Sequence, residues 1–211
     1  MAVPAERMSV VPVGVDEKRF RPLPDVKRVP GRLLTTASGD VPLKGLTYLL
    51  EALAKVRTER PGAHLVVIGK LRNGSVIPGV IEKLGIADAV EFVSGVSDER
   101  IVELYAECEL ACVPSLYEGF SLPAIEAMAC GATLVATTGG ALPEVVGTDG
   151  DTARLVPPAD AGSLAAAIVE LLDDPGERAR LAEGGRQRVF ERLTWKACAE
   201  GTARVYEKAL A

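Results

Sequence analysis

The chain has 211 residues, of which 48% are hydrophobic and 25% charged, with a formal net charge of −5 and a pI near 5.1. That length and balance suit one packed domain and exclude a disordered or fibrous chain. The acidic balance also lacks the broad positive field that nucleic-acid binding requires, so no nucleic-acid partner is expected; a few Lys, Arg or helix N-termini still suffice to hold one small anion.

The stretch 20–31 is rich in proline and charge and reads as a surface connection. From Leu33 onward, short apolar runs alternate with segments of helical period. Strands are expected at 33–37, 64–69, 90–93, 110–114, 133–137 and 154–156, nearly all apolar, as strands covered on both faces are. The clearest helix follows Lys44, where Leu46, Leu49, Leu50, Leu53 and Val56 form one buried stripe that ends at Pro61-Gly62. Ser97, with Asp98 and Glu99 behind it, opens the next strong helix. Asp160 and Asp174-Pro175 begin two more, and Thr194 begins the last, which carries Trp195 and Tyr206. This alternation predicts an α/β fold: one doubly wound, Rossmann-like parallel sheet of about six strands with additional C-terminal helices. In such sheets ligands bind outside the carboxyl ends of the strands, so the loops 38–44, 70–75, 94–97, 115–122 and 138–142 are where a site is expected.

No apolar run approaches the ~18 residues of a membrane span, and the N-terminus shows no basic-then-apolar leader, so a cytoplasmic location is expected. Cys108, Cys112, Cys130 and Cys198 have no CxxC spacing and are expected to be free, mostly buried thiols. No GxGxxG follows the first strand, and Lys44-Gly45 has the reverse order of a phosphate-binding P-loop. His64, the only histidine, lies at a strand start and is expected to be structural. No His/Cys pair has zinc-ligand spacing, so no metal is expected.

The informative segment runs from Pro114 to Gly131, out of a strand, through a loop with Gly119 and Ser121, into a helix whose first amides face any anion there. Glu118 and Glu126 stand eight positions apart, roughly 12 Å if the path is helical throughout. That is too far to flank one glycosidic bond, where paired carboxylates lie about 5–9.5 Å apart. It suits two groups gripping different ends of a long polar ligand.

This E-x7-E run, with Pro114-Ser115 before it, Gly139-Gly140-Ala141-Leu142-Pro143-Glu144 after it and Lys44-Gly45 behind the first strand, resembles the group 1 retaining glycosyltransferases of GT-B architecture. The likeness covers nearly the whole chain. Val10 to Asp16 resembles the start of that family's C-terminal domain and Thr194-Trp195 its closing helix; nothing resembles the N-terminal acceptor domain. The resemblance implies that residues 1–211 form a nucleotide-sugar donor-binding domain. Within a whole enzyme it would move a hexosyl unit, with retention, from a UDP-, GDP- or ADP-sugar to an acceptor. No metal or cofactor is implied besides that donor, and the leaving phosphate would help deprotonate the acceptor in a front-face displacement. Glu126 would accept from the ribose hydroxyls, and Glu118 would face hydroxyls of the donor sugar. The amides of Gly119, Phe120, Ser121 and Leu122 would meet sugar or diphosphate oxygens. Lys44 would neutralise the diphosphate, while Lys70, Gly95 and Val96 would border the base.

The sequence departs from the family pattern twice. Gly39, followed by Asp40, stands where members usually carry an arginine five positions before the lysine, so one diphosphate cation is missing; Lys70 and Arg72 are the candidate replacements, and Asp40 equally fits weakened donor binding. Val13 stands where asparagine is common. The implied partner is the N-terminal domain, through which alone any association with a membrane face would run. By itself the chain is expected to bind a nucleoside diphosphate weakly and to transfer nothing. A non-catalytic nucleotide-sugar-binding module and an epimerase of related fold are the alternative readings.

Overall fold

The computed structural model describes residue 4, residues 7–37 and residues 41–210. Six strands, β1 (Arg32–Thr36), β2 (His64–Ile68), β3 (Val90–Val93), β4 (Leu110–Val113), β5 (Thr133–Thr137) and β6 (Arg154–Val156), form one sheet. Every pairing is parallel, in the order β3-β2-β1-β4-β5-β6. Successive side chains of a strand point to opposite faces, and here both faces are covered. Leu33, Leu65, Val67, Leu110, Cys112 and Val135 enter one apolar cluster, while Leu34, Val66, Ile68, Ala111, Val113, Leu134 and Ala136 enter the other. This is why the strands are apolar without alternation.

Helices α1 (Leu46–Glu59), α2 (Ile77–Leu84) and α6 (Ala161–Asp173) contribute buried side chains to the first cluster. Helices α3 (Asp98–Glu107), α4 (Leu122–Ala129) and α5 (Leu142–Val146) contribute to the second. Helix α7 (Pro175–Arg192) reaches both, placing Leu181 in one and Val189 in the other. The last helix, α8 (Trp195–Leu210), buries no residue. Leu33, Leu34, Leu110 and Leu134 have no exposed surface, so truncating any one to alanine costs about 2–5 kcal/mol.

The expected starts are formed by side-chain caps. Ser97 Oγ accepts from the Arg100 amide at 3.3 Å, and Asp160 Oδ1 accepts from the Gly162 and Ser163 amides, both at 2.9 Å. Asp174 Oδ1 accepts from the Glu177 amide at 2.8 Å, and Thr194 Oγ1 from the Ala197 amide at 3.1 Å. Each satisfies one or two of the amides a helix start leaves unpaired. All four cysteines are free, three of them buried. Burial pushes the Cys108 thiol up to about 12 and raises those of Cys112 and Cys130 as well.

Two helices were not expected. They are α2 and α5, with Pro78 and Pro143 in their first turns, where proline removes an amide that has no partner there anyway. The stretch 20–31 is also more than a surface connection. Phe20 and Leu23 pack against the second cluster, and the Arg28 guanidinium donates to the carbonyls of Cys108 and Gly131, strapping the ends of α3 and α4 together. No described helix is long and apolar enough to cross a membrane.

From β1 the chain moves outward to β2 and β3, then returns to β4 on the other side and continues to β5 and β6. The loops after the neighbouring strands β1 and β4 therefore lead to helices on opposite faces, α1 and α4. The strand order reverses between β1 and β4, and the carboxyl edge at such a switch point is the crevice in which open α/β sheets bind ligands.

Candidate functional site

Lys44 ends a single 3-10 turn (Pro42–Lys44) on the β1 side of this crevice, and Glu118 lies in the loop after β4. Two contacts force these loops together. The Leu116 amide donates to the Leu43 carbonyl at 2.8 Å. Gly45, at φ +66°, sits so close to the Pro114 carbonyl that a Cβ would overlap it. As a result Lys44 Nζ donates to Glu118 Oε1 at 2.8 Å. A lysine at a helix start opposes the helix dipole and calls for an anion nearby; among the described residues that anion is Glu118.

Glu118 is about nine-tenths buried and doubly held. Its Oε1 also accepts from Ser115 Oγ at 2.7 Å. Its backbone pairs with the loop after β5: Glu118 bridges Gly140, and the Ala141 amide donates to the Glu118 carbonyl at 2.8 Å. A Cβ on Gly139 would stand 2.6 Å from the Leu116 carbonyl oxygen, and one on Gly140, at φ +64°, would strike the Glu118 backbone. These two glycines are explained by close packing that fixes the Glu118 loop. Gly119 is different, because a Cβ there would meet nothing. It is exposed, with open space beside it.

Ser121, the residue before α4, has φ +101°, a conformation that strains any residue but glycine, and its buried Oγ has no partner among the described residues. Strain and an orphaned hydroxyl together at a helix start are features that functional sites retain. Glu126 lies one turn further along α4, half-buried against α3. Tyr105 Oη, itself buried, is 3.2 Å from the Pro123 carbonyl and 3.5 Å from Glu126 Oε2. Burial raises the Glu126 carboxyl above its ordinary range, with Asp98 adding to the rise and the Tyr105 hydroxyl opposing it.

The helix begins only at Leu122, so the two glutamates belong to different elements with different partners: Lys44 and Ser115 for Glu118, Tyr105 for Glu126. Lys70, Leu71, Arg72 and Asn73 line an open cavity of about 500 Å³ after β2. Gly95, at φ +68°, and Val96 occupy the loop after the neighbouring strand β3. Ser38, Gly39 and Asp40 lie outside the described residues, and with them the expected gap in the diphosphate cations. Among the described residues no group of three or more His, Cys, Asp or Glu side chains could hold a metal ion. Sequence reasoning gave no role to Ser115, Tyr105 or Thr137. Ser115 stands inside the quoted motif, whereas Tyr105 carries no signal beyond its place on a helical stripe.

Residues 27–188 match the family model "Glycosyl transferases group 1". The chain belongs to that family. It is 50% identical, over its full length and half of the relative's, to the MMP alpha-(1->4)-mannosyltransferase of Mycolicibacterium hassiacum. Among solved structures, the sucrose-phosphate synthase of Thermosynechococcus elongatus superposes with a TM-score of 0.84 at 31% identity, covering 95% of this chain and 52% of that one. HepE of Anabaena in complex with UDP gives a TM-score of 0.82 at 22% identity, over 92% and 56% of the two chains. The chain spans about half the length of the curated relatives it matches. Its fold is that of the C-terminal half of the GT-B architecture.

Proposed function

We propose that this chain binds the nucleoside diphosphate sugar of a retaining hexosyltransferase and forms the donor half of the transfer site. The observation that carries the reading is the meeting of the loops after β1 and β4 at the point where the strand order reverses. There a lysine, a fixed carboxylate, an exposed glycine with open space around it and the start of α4 meet within one loop pair, and a second carboxylate follows on α4. Glu126 accepts from the ribose hydroxyls, and Glu118 from hydroxyls of the sugar. The amides of Gly119, Phe120, Ser121 and Leu122 receive sugar or diphosphate oxygens. Lys44 balances the charge that grows on the diphosphate as it leaves, while Lys70, Gly95 and Val96 border the base. Charge balance by an ammonium and backbone amides needs no metal, and the donor needs no cofactor beside it.

The MMP alpha-(1->4)-mannosyltransferase supports a hexose as the transferred group, and the UDP complex of HepE supports a nucleoside diphosphate in this fold. Transfer with retention rests on family membership. Titration calorimetry of the 211-residue chain against UDP, GDP and ADP and their sugars tests the reading. One diphosphate and its sugar nucleotide should bind, and no sugar should reach an acceptor while half of the cleft is open to water. Absence of binding by all three pairs contradicts the donor site. Binding by this chain, with no transfer by a longer protein containing it, favours the non-catalytic module.

A further inference from the structure

We infer that Ser115 is the positioning residue of Glu118, the fixed partner that holds this carboxylate in place when Lys44 turns to the diphosphate. The inference rests on the donor-site reading and adds to it a residue and a division of labour. Glu118 Oε1 accepts from two donors of unlike character, Ser115 Oγ at 2.7 Å and Lys44 Nζ at 2.8 Å. Lys44 sits at the end of a flexible four-carbon stem, and its side chain is about three times as exposed as that of Glu118 (31% against 10%). An ammonium so placed can exchange one anion for another.

Ser115 cannot move in the same way, because it is 2% exposed and its backbone is clamped. Thr137 Oγ1, at the end of β5, donates to the Ser115 carbonyl and accepts from the Gly139 amide at 3.3 Å. A Cβ on Gly139 would come within 2.8 Å of the Ser115 carbonyl oxygen. The β5 edge thus fixes the Ser115 backbone, the short side chain fixes its hydroxyl, and the hydroxyl fixes Glu118 Oε1. Glu118 Oε2 has no hydrogen-bond partner among the described residues and is not one of the fully buried unpaired atoms. It is the oxygen left for a hydroxyl of the ligand.

A donor sugar nucleotide and its bare diphosphate use this arrangement differently. Both draw on Lys44, but only the sugar nucleotide needs Glu118 aimed. Replacing the hydroxyl therefore acts on the discrimination between the two ligands. The experiment is calorimetry of the 211-residue chain with UDP against UDP-glucose and GDP against GDP-mannose, on wild type, Ser115→Ala, Ser115→Cys, Glu118→Gln and the Ser115→Ala/Glu118→Gln pair, each first checked for a cooperative melt.

A hydrogen bond to a charged group supports an expected loss of about tenfold in sugar-nucleotide affinity relative to the diphosphate for Ser115→Ala. Ser115→Cys, close in size but a weaker donor, should fall between alanine and wild type, and it carries the test alone if the alanine variant does not fold. In the Glu118→Gln background Ser115→Ala should cost little further, since coupled residues are not additive. Equal losses for diphosphate and sugar nucleotide in both Ser115 variants, or additive losses in the pair, overturn the positioning role. If Glu118→Gln itself leaves the discrimination unchanged, the assignment of Glu118 to the sugar fails; if wild type binds neither ligand pair, the donor-site reading fails. Either result removes the basis of the inference. A discrimination lost in Glu118→Gln but kept in both Ser115 variants overturns the inference alone.

Discussion

At the scale of one residue, the burial of Glu126 works against stability as the pH rises. Its carboxyl is lifted above the ordinary range, first by burial against α3, then by Asp98, while the Tyr105 hydroxyl opposes the rise. A carboxyl with a raised value in the folded chain binds protons more tightly there than in the unfolded chain. Its stabilising contribution is therefore complete below the unfolded value, about 4.3, and is lost as the pH rises through the folded value. Replacing Glu126 by glutamine removes that loss. The melting temperature of Glu126→Gln relative to wild type should accordingly climb as the pH is taken from below this window to neutrality. A difference that stays constant over that range would show that Glu126 does not carry the strain.

At the scale of elements, glycines divide into those that packing requires and those it leaves unexplained. Gly45 at φ +66° lies against the Pro114 carbonyl and brings the loops after β1 and β4 together. Gly45→Ala combines a disfavoured conformation with a backbone overlap and should destabilise the chain by about 3 kcal/mol or more. Gly119→Ala meets open space and should change stability by less than about 0.5 kcal/mol, while filling part of the crevice and weakening donor binding. Denaturant unfolding and calorimetry on the two variants check this; a large loss of stability in Gly119→Ala would place that glycine with the packing group.

The same scale explains what the sequence made legible. All six strands fall within a residue of where their apolar runs place them, because both faces of the sheet are covered and no alternation disguises them. Ser97, Asp160, Asp174 and Thr194 mark helix starts because capping is local chemistry. Helix α2 escaped because Pro78-Gly79 serves a first turn as readily as it breaks an interior. In the site, Lys44, Glu118 and Glu126 were legible as motif members, but the ion pair was not, since its two residues are 74 positions apart and meet only through the β1–β4 neighbourhood. The Ser115 and Tyr105 hydroxyls act through tertiary contacts that have no signature in spacing.

At the scale of the molecule, the exposed large apolar side chains are not scattered. All but Phe190, which lies on α7, fall in two groups: Leu43, Val76, Tyr117 and Leu122 lie between a strand end and the first turn of the helix that follows, and Met8, Val10, Val13, Trp195, Tyr206 and Leu210 lie in the two terminal segments. Those segments are tied to one another, with Val15 bridging Thr194 and Val11 beside Gly201. Helix α8 contributes no buried residue to this domain, so Tyr206→Ser should shift its unfolding free energy by no more than about 0.5 kcal/mol. A loss of about 2 kcal/mol on denaturant unfolding would show that α8 packs into the core after all. Calorimetry of Glu126→Ala and Lys44→Ala against nucleoside, nucleoside diphosphate and sugar nucleotide tests the proposed donor site between β1 and β4 directly. Glu126→Ala should weaken the diphosphate and the sugar nucleotide by similar factors of about tenfold or more, and Lys44→Ala should weaken both diphosphate ligands while hardly affecting the nucleoside. Unchanged affinity in Glu126→Ala for every ligand would contradict the donor site at the β1–β4 crevice.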